Sequence, residues 1–344
     1  MGSCHRKHRC LSQEPNSTPC DAVAMTDFPL FETPDNPMPP VASACMITAR
    51  DGKRIRYACF PGSGPHSGTV VLLPGRNECI EKYYETVGDL SRRGFAVATF
   101  DWRGQGLSAR LLRNPQRGHI DRFDSYVDDL EAVLDGVVEP GCGGPFYLLA
   151  HSAGALAALL AAPRLTGRVR RMVLLAPLIS LTGLPLSMNG VRRVATTAYW
   201  LGLGNFSLGR RRVGAPNPFA GNVLTSDERR YRRNQEIYRL HPELALGAPT
   251  ASWLRAACHA VTAVQRPEFM ARITMPVLFI AAGADQVVST PAIERFARRL
   301  RSGHVLTIDG ARHELLQERD RYREQLLAAF DAFVPGTAAA AYDG

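Results

Sequence analysis

The feature that most constrains the fold of this 344-residue chain is an alternation of short apolar runs with segments of helical periodicity. The runs are bounded by turn-forming residues and are typical of strands buried on both faces. They lie at 69–73, 95–100, 146–149, 172–176, 277–281 and 304–308. Apolar residues at helical spacing occur at about 80–93, 121–138, 153–162, 291–301 and 320–334. This alternation predicts an α/β protein with a mostly parallel central sheet and helices on both faces.

A stretch of about a hundred residues interrupts the alternation between the runs at 172–176 and 277–281. It contains no clear buried strand, although helical patterns occur near 227–240 and 249–264. A structureless connection of that length is improbable in a compact domain. We therefore expect residues 178–267 to form a helical cap over the carboxyl edge of the sheet.

The two ends of the chain are expected to lie outside the folded part. Residues 1–40 are rich in proline and have no sustained periodicity, which predicts a disordered N-terminal tail. Residues 336–344 are predicted to be a flexible C-terminal tail. The expected core comprises residues 41–177 and 268–335, and it begins with a hairpin that turns at Asp51-Gly52.

Ser152 stands where the buried run at 146–149 passes into a helix of small residues. The letters around it, AHSAG, match the G-x-S-x-G pattern of a nucleophile elbow, with Ala150 at the first glycine position. Small residues are needed there because the strand and the helix approach each other closely. We interpret Ser152 as a candidate nucleophile; the alternative is a chance S-x-G at a strand–helix junction.

A serine hydroxyl needs a base that takes its proton and an acid that orients the base. Asp285 follows the apolar run at 277–281, and His313 follows the run at 304–308. Loops after parallel strands meet at the carboxyl edge of a sheet, so we expect both side chains near Ser152. The order serine, acid, histidine is the one that accompanies a nucleophile elbow. Taken singly, Asp285 could be a turn residue and His313 a helix cap.

Acyl transfer also requires donors for the developing oxyanion. One is the backbone N–H after the nucleophile, here Ala153, and the other comes from the loop after an early strand. That loop begins with Pro74, which has no N–H, so Arg76 is the candidate. The competing interpretation, a phosphate-binding loop, lacks both G-x-G-x-x-G and G-x-x-x-x-G-K-[ST].

The letters DWRGQGLS at 101–108 resemble the D-x-R-G-x-G-x-S loop of monoglyceride-lipase-like and bacterial lysophospholipase-like α/β-hydrolases, a family also described as serine aminopeptidase-like. The resemblance continues through the loop after Leu73, the elbow and the segments of Asp285 and His313, and covers about residues 41–334. Relatives carry glycine where Ala150 stands, and many carry histidine at Pro74. They begin near Met25, so we expect residues 1–24 to be dispensable.

The resemblance implies an α/β-hydrolase fold and a serine hydrolase that cleaves carboxylic esters through an acyl-enzyme on Ser152. The implied substrates are lipid-like, a lysophospholipid or a monoacylglycerol. Two alternatives remain open at this point. One is an aminopeptidase or amidase of the same fold, and the other is a non-enzymatic ligand-binding protein on the same scaffold.

The charge is concentrated in the expected cap. The chain has a net charge of +9 with only three lysines, and residues 178–260 carry eleven arginines against four acidic residues. A basic cap favours an anionic amphiphile or contact with an anionic membrane surface, although an arginine-rich composition alone would also produce it. Candidate contacts for an acyl chain are four aromatic residues of the cap, which could equally form its small core: Tyr199, Trp200, Phe206 and Phe219.

The cysteines and the hydropathy of the sequence indicate in which cellular compartment the protein is expected. The eight cysteines contain no C-x-x-C pair, which favours free thiols in a reducing compartment over a disulfide framework. No apolar run is long enough to span a membrane. We expect a cytoplasmic protein without metal or cofactor and without nucleic acid as a partner. Peripheral contact with the inner face of a membrane stays open.

Overall fold

A computed structural model of the protein describes residues 25–26, 28–41, 43–183, 188–208 and 218–335. The strands of this part of the chain form one sheet in the order β1-β2-β3-β5-β4-β6-β7-β8-β9. Pairing is antiparallel between β2 and β3 and between β3 and β5, and parallel elsewhere. The strands are β1 Met25–Thr26, β2 Ser43–Thr48, β3 Arg54–Phe60, β4 Gly68–Leu73, β5 Phe95–Phe100, β6 Phe146–His151, β7 Val169–Leu175, β8 Val277–Ala282 and β9 Gly303–Ile308.

Helices alternate with the parallel strands, as the sequence predicts. They are α1 Tyr84–Ser91, α2 Asp124–Val133, α3 Glu139–Gly141, α4 Ser152–Leu165, α5 Met188–Ala198, α6 Glu228–Leu240, α7 Ala251–Val264, α8 Pro267–Met270, α9 Thr290–Arg299 and α10 Asp320–Phe333. Short 3₁₀-helical turns occupy Ile80–Tyr83 and Leu315–Gln317, and π-helical turns occupy Leu134–Val138 and Tyr199–Leu203. The predicted α/β architecture with a mostly parallel sheet is thus confirmed.

The centre of the sheet is apolar on both faces. Every residue of β4 and of β8 is buried, because helices cover both sides. The first turn of α4 is built from small residues, and nearly the whole helix is buried. This rigid layer holds the carboxyl ends of β4, β6, β8 and β9 at one edge, where the candidate residues lie.

Residues 28–41 differ from the expected disordered tail. The side-chain amide of Asn36 donates to the main-chain oxygen of Glu81 at 2.9 Å, and Arg56 donates to the main-chain oxygen of Pro29 at 3.1 Å. The ring of Phe31 stacks on His241 with 3.9 Å between centroids. Proline content predicts the lack of regular structure here, but these specific contacts still order the segment.

The described parts of the segment between β7 and β8 contain helices joined by loops, and the segment attaches to the core in two different ways. Helix α6 is joined to the core by ion pairs from Arg230 and Arg233 to Glu85 of α1. Helix α7 instead buries its apolar side in the main core, with Trp253 and Val261 both nearly inaccessible. The sequence pattern did not predict α5, and it placed α7 in the cap.

No helix of the described residues is long and apolar enough to cross a bilayer. The three arginines at 210–212, which contribute to the basic cap in the sequence, lie outside the described residues.

Candidate active site

Ser152 occupies the sharp turn between β6 and α4. Its backbone is left-handed, with φ of 50°, a conformation that costs free energy in a residue other than glycine and typically marks a functional turn. Gly154 permits the turn, because a Cβ there would lie 2.4 Å from the main-chain oxygen of Pro74. Ala150 is an ordinary residue of β6, paired with Leu73 and Leu174. Alanine therefore meets the steric demand at the position where relatives carry glycine.

The structure brings Ser152, His313 and Asp285 into one hydrogen-bonded chain. The Oγ of Ser152 lies 3.0 Å from Nε2 of His313, and Nδ1 of His313 lies 2.8 Å from Oδ2 of Asp285. His313 is 4% exposed and Ser152 9% exposed. Because an ionised carboxylate only accepts hydrogen bonds, Nδ1 carries the proton and leaves Nε2 free to accept from the serine hydroxyl.

Asp285 is held in place by its own loop. Its Oδ1 accepts hydrogen bonds from the main-chain N–H groups of Val287 and Val288, at 2.7 and 3.0 Å. Burial opposes ionisation of the carboxyl group, but the bond from His313 and those two N–H groups outweigh it and lower its pKa. The acid is therefore ionised at neutral pH and fixed in orientation.

Ser152 and His313 open into a cavity of about 310 Å³. Its walls come from the core loops, from α6 and from α7. The apolar part is lined by Leu178, Leu181, Leu224, Trp253, Leu254 and Val287. The polar part carries Glu78, Lys82, His151 and Glu314. A cavity lined by both apolar and polar side chains suits an amphiphilic ligand.

The two oxyanion candidates, Arg76 and Ala153, both line the cavity beside Ser152. On either side of Arg76, the main-chain N–H of Gly75 donates to Glu78 and that of Asn77 donates to the side chain of Gln105. Ala153 lies in the first turn of α4, where main-chain N–H groups have no acceptor within the helix. This placement agrees with the sequence-based assignment, whose catalytic role stays a prediction.

The loop after β5 contacts the loop that carries Arg76, because the main-chain N–H of Asn77 donates to the side chain of Gln105. Asp101 is fully buried, accepts from the main-chain N–H of Ile80, and forms an ion pair with Arg56. Arg103 forms a second buried ion pair, with Asp129. The segment at 101–108, which carries part of the family resemblance, thus positions the neighbouring loop through buried charged side chains.

The four aromatic residues expected to contact an acyl chain do not line the cavity. Trp200 is 75% exposed and Phe206 is 56% exposed. Tyr199 lies under the guanidinium of Arg255, and Phe219 packs edge-on against Tyr231. Their apolar character is visible in the sequence, but the face to which each points depends on how the cap segment folds.

Sequence reasoning missed a buried charged cluster next to Ser152. Lys82 lies 2.8 Å from Glu78 and 2.7 Å from Glu314, and His151 contacts Glu78 at 3.1 Å. The spacing of Glu78 and Lys82, one helical turn apart, was the only signal. Glu314 and His151 join the cluster because they directly neighbour His313 and Ser152 in the chain.

Comparison with known proteins agrees with this geometry. The family model described as "Serine aminopeptidase, S33" matches residues 64–320. Lysophospholipase L2 of Escherichia coli strain K12 is 36% identical over 295 residues, which cover 83% of this chain and 86% of that protein. The probable lysophospholipase L2 of Haemophilus influenzae is 28% identical, over 77% of this chain and 83% of that protein.

Among solved structures, a monoglyceride lipase of Saccharomyces cerevisiae in complex with a substrate analogue superposes with a TM-score of 0.66. The match covers 83% of this chain and 94% of that chain at 18% identity, and so bears on the fold alone. The family match and the extent of the L2 similarity show that this chain belongs to the serine aminopeptidase S33 family of α/β-hydrolases.

Proposed function

We propose that the protein is a lysophospholipase-type serine hydrolase that cleaves a carboxylic ester through an acyl-enzyme on Ser152. The single observation that carries the proposal is the hydrogen-bonded chain Ser152–His313–Asp285, which opens into a cavity with apolar walls. An intact chain of this kind argues against a ligand-binding protein that has lost catalysis.

The geometry supports a two-step mechanism. Oγ of Ser152 attacks the ester carbonyl carbon while Nε2 of His313 takes the hydroxyl proton. The main-chain N–H groups of Arg76 and Ala153 stabilise the oxyanion, and Asp285 stabilises the imidazolium. Collapse of the tetrahedral intermediate breaks the ester bond, and His313 gives its proton to the leaving alcohol. Water then attacks the acyl-enzyme, again with His313 as base, and releases the fatty acid.

We favour a lysophospholipid as substrate and keep a monoacylglycerol as the second candidate. The cavity that contains Ser152 is lined by six apolar side chains, which suit a single acyl chain, and by polar side chains, which suit a polar head group. The two relatives described above are named lysophospholipase L2 and probable lysophospholipase L2. Both observations favour a substrate with one acyl chain and one polar end.

The name of the family mentions an aminopeptidase, but the residues of the cavity give less support to that alternative. A peptidase of this type needs a carboxylate free to bind the substrate amine. The carboxylates that line the described cavity are those of Glu78 and Glu314, and both are paired with Lys82. An amine would have to break a buried ion pair to bind there, at a cost of several kcal/mol.

A hydrolysis screen tests the substrate class. Lysophosphatidylcholine, lysophosphatidylglycerol, monoacylglycerol, p-nitrophenyl esters and aminoacyl amides should be compared at equal concentration, with Ser152→Ala as the blank. The proposal expects the highest kcat/KM on a lysophospholipid and no turnover of the amides. Preferential hydrolysis of aminoacyl amides would overturn it in favour of the aminopeptidase.

We further propose that the protein contacts an anionic membrane surface through an exposed apolar patch. The patch consists of Trp200, Leu201, Leu203, Phe206 and Leu208, each between 44% and 75% exposed. It adjoins the cavity, because Leu208 donates a hydrogen bond to the main-chain oxygen of Pro249, a cavity residue. Arg117 lies over the ring of Phe206. An apolar patch with tryptophan and arginine is typical of a surface that enters the interface of a bilayer.

Co-sedimentation with vesicles tests this contact. In the Ser152→Ala background, which prevents hydrolysis, Trp200→Ser should weaken binding to vesicles that contain phosphatidylglycerol by roughly tenfold. The matched control is Leu306→Ser, which removes a 38% exposed apolar residue from the edge strand β9. Equal binding by all three proteins, or an equal loss in both variants, would contradict the proposed surface.

A further inference from the structure

His151, the residue before Ser152, is buried and has a polar partner at each ring nitrogen. Nδ1 lies 3.1 Å from Oε1 and 3.2 Å from Oε2 of Glu78, while Nε2 lies 3.1 Å from the main-chain oxygen of His313. A main-chain carbonyl can only accept a hydrogen bond, so Nε2 carries a proton. The charge of the ring then depends on whether Nδ1 is also protonated.

The surroundings of Glu78 place that proton on the ring. Its carboxyl group also accepts hydrogen bonds from the main-chain N–H of Gly75, the hydroxyl of Tyr83 and the ammonium of Lys82. With His151 these four donors use the acceptor capacity of a carboxylate. Imidazole is a stronger base than a carboxylate, and Lys82 at 2.8 Å further favours the ionised carboxylate. Nδ1 is therefore protonated as well.

Charge balance leads to the same state. Glu78 and Glu314 are negative and Lys82 is positive, and the side chains of all three are at most 11% exposed. Buried charges are stable only when they are compensated. With a neutral His151 the cluster would hold one uncompensated negative charge, whereas an imidazolium makes two charges of each sign.

We propose that His151 is a doubly protonated positioning residue that ties the main chain of His313 to Glu78. Because Glu78 also accepts from Gly75, the same link reaches the loop that holds Arg76. The protonated ring of His151 thus connects three parts of the site. These are the loop that carries His313, the turn that carries Ser152 and the loop that carries Arg76. The inference rests on the proposed function, since it assigns the ring a role in holding the proposed catalytic groups together.

The titratable groups around His151 determine how this link responds to pH. They are Glu78, Lys82 and Tyr83 after β4, and His313 and Glu314 after β9. Burial disfavours the charged ring, but Glu78 outweighs burial and raises the pKa of His151 above its ordinary value of 6.5. The link is therefore present below the pKa of His151 in the folded protein and is lost as the pH rises through that pKa.

Nitrogen-15 NMR of the full chain, labelled at its histidine rings, measures the protonation state directly. At pH 7 both ring nitrogens of His151 should show the shifts of protonated nitrogen, each with an attached proton. The signals are assigned by their absence in His151→Gln. An unprotonated nitrogen in the His151 ring at pH 7 would overturn the proposal.

Two variants separate the two hydrogen bonds. The amide nitrogen of His151→Gln lies where Nε2 was and can still donate to His313, whereas that of His151→Asn lies where Nδ1 was. We expect kcat of the Asn variant to be roughly tenfold lower than that of the Gln variant, with similar KM, because only the Asn variant leaves the His313 carbonyl without its donor. Equal kcat in both variants would overturn the positioning role.

The outcomes also separate this inference from the proposed function. If a fluorophosphonate fails to label Ser152 in the wild-type protein, the proposed function fails whatever the NMR spectrum shows. If Ser152 is labelled but His151 has an unprotonated nitrogen, only the present inference fails. Where a variant does not fold, as judged by its melting curve, the NMR measurement on the wild type decides alone.

Discussion

Gly154 and Ala150 lie two residues on either side of Ser152, and their surroundings make different demands on them. A Cβ at Gly154 would lie 2.4 Å from the main-chain oxygen of Pro74 and 2.8 Å from that of Leu73. Both are backbone atoms of the strand end that carries the oxyanion loop, so they cannot rotate away. Residue 150 meets no such limit, since alanine is already accommodated there within β6.

Gly154→Ala should therefore destabilise the protein by about 1–3 kcal/mol, the usual range for overpacking a rigid site. It should also slow labelling of Ser152, because the oxyanion loop must move. Urea unfolding measures the first effect. The matched control is Gly88→Ala in α1, where a Cβ would meet only the mobile end of Arg92 at 3.4 Å. The control should leave the protein as stable or slightly more stable, and an equal loss in both variants would contradict the argument.

Asp285→Asn should lower kcat by roughly 10³- to 10⁴-fold with little change in the fold. The asparagine oxygen can still accept from Val287 and Val288, so its NH₂ group then faces His313. His313 would have to present an unprotonated Nδ1 and a protonated Nε2, which cannot accept the proton of Ser152. Steady-state kinetics checks the loss, and a variant with a tenth or more of wild-type kcat would exclude Asp285 as the orienting acid.

At the scale of elements, helix α6 is attached to the core partly through one carboxylate, that of Glu85. Glu85 of α1 contacts Arg230 at 2.5 Å, Arg233 at 2.6 Å and Arg323 at 3.5 Å. Burial of Glu85 raises its pKa, but the hydrogen bond from Arg230 and the charges of Arg323 and Arg233 outweigh this and lower its pKa. The basic residues of the cap are thus partly neutralised by the core beneath them.

Because the pKa of Glu85 is lowered in the folded protein, its contribution is present above the unfolded value near 4.3 and is lost as the pH falls. Glu85→Gln should cost roughly 1–2 kcal/mol at pH 7, and the cost should shrink progressively as the pH falls below that unfolded value towards the lower pKa of the folded protein. Urea unfolding at pH 7 and at about pH 2 measures the difference. Glu228→Gln, which removes the exposed partner of Arg232, is the control and should change little at either pH. A Glu85 effect that does not depend on pH would contradict this account.

The same elements show how far the sequence could predict the site. Asp285 and His313 were predictable, because polar residues directly after buried parallel strands must meet at one edge. The cluster of Glu78, Lys82 and His151 was not, since it depends on side-chain pairing across loops that are distant in sequence. The exposed position of Trp200 was also not predictable, because helical spacing identifies an apolar face without identifying its neighbour.

At the scale of the whole molecule, residues 28–41 link the core to the segment that covers it. Phe31 packs against a small apolar cluster at the cap, which contains Cys79, Ile237, Tyr238, Leu244 and Ala245. The main-chain oxygen of Pro29 and the side chain of Asn36 add hydrogen bonds to the core. The composition of this segment gave no sign of these contacts, because irregular structure is stabilised by specific neighbours rather than by periodicity.

A chain that starts at Met25 should keep the melting temperature and activity of the full chain, whereas one that starts at Ser43 should lose about 2 kcal/mol or more. The shorter chain lacks Phe31 and leaves Arg56 without one acceptor. Thermal unfolding of the three proteins side by side measures this. Full stability of the chain that starts at Ser43 would show that the segment contributes nothing, and a loss in the chain that starts at Met25 would contradict the dispensability of residues 1–24.

The central claim, an acyl-enzyme on Ser152, is tested most directly by single-turnover hydrolysis of a lysophospholipid with mass analysis of the quenched protein. The account predicts that the wild type gains the mass of the acyl chain at Ser152. It also predicts that Ser152→Ala shows no adduct and loses kcat by a factor on the order of 10⁶. An acyl adduct on another residue, or a Ser152→Ala variant that retains a tenth of wild-type kcat, would contradict the account.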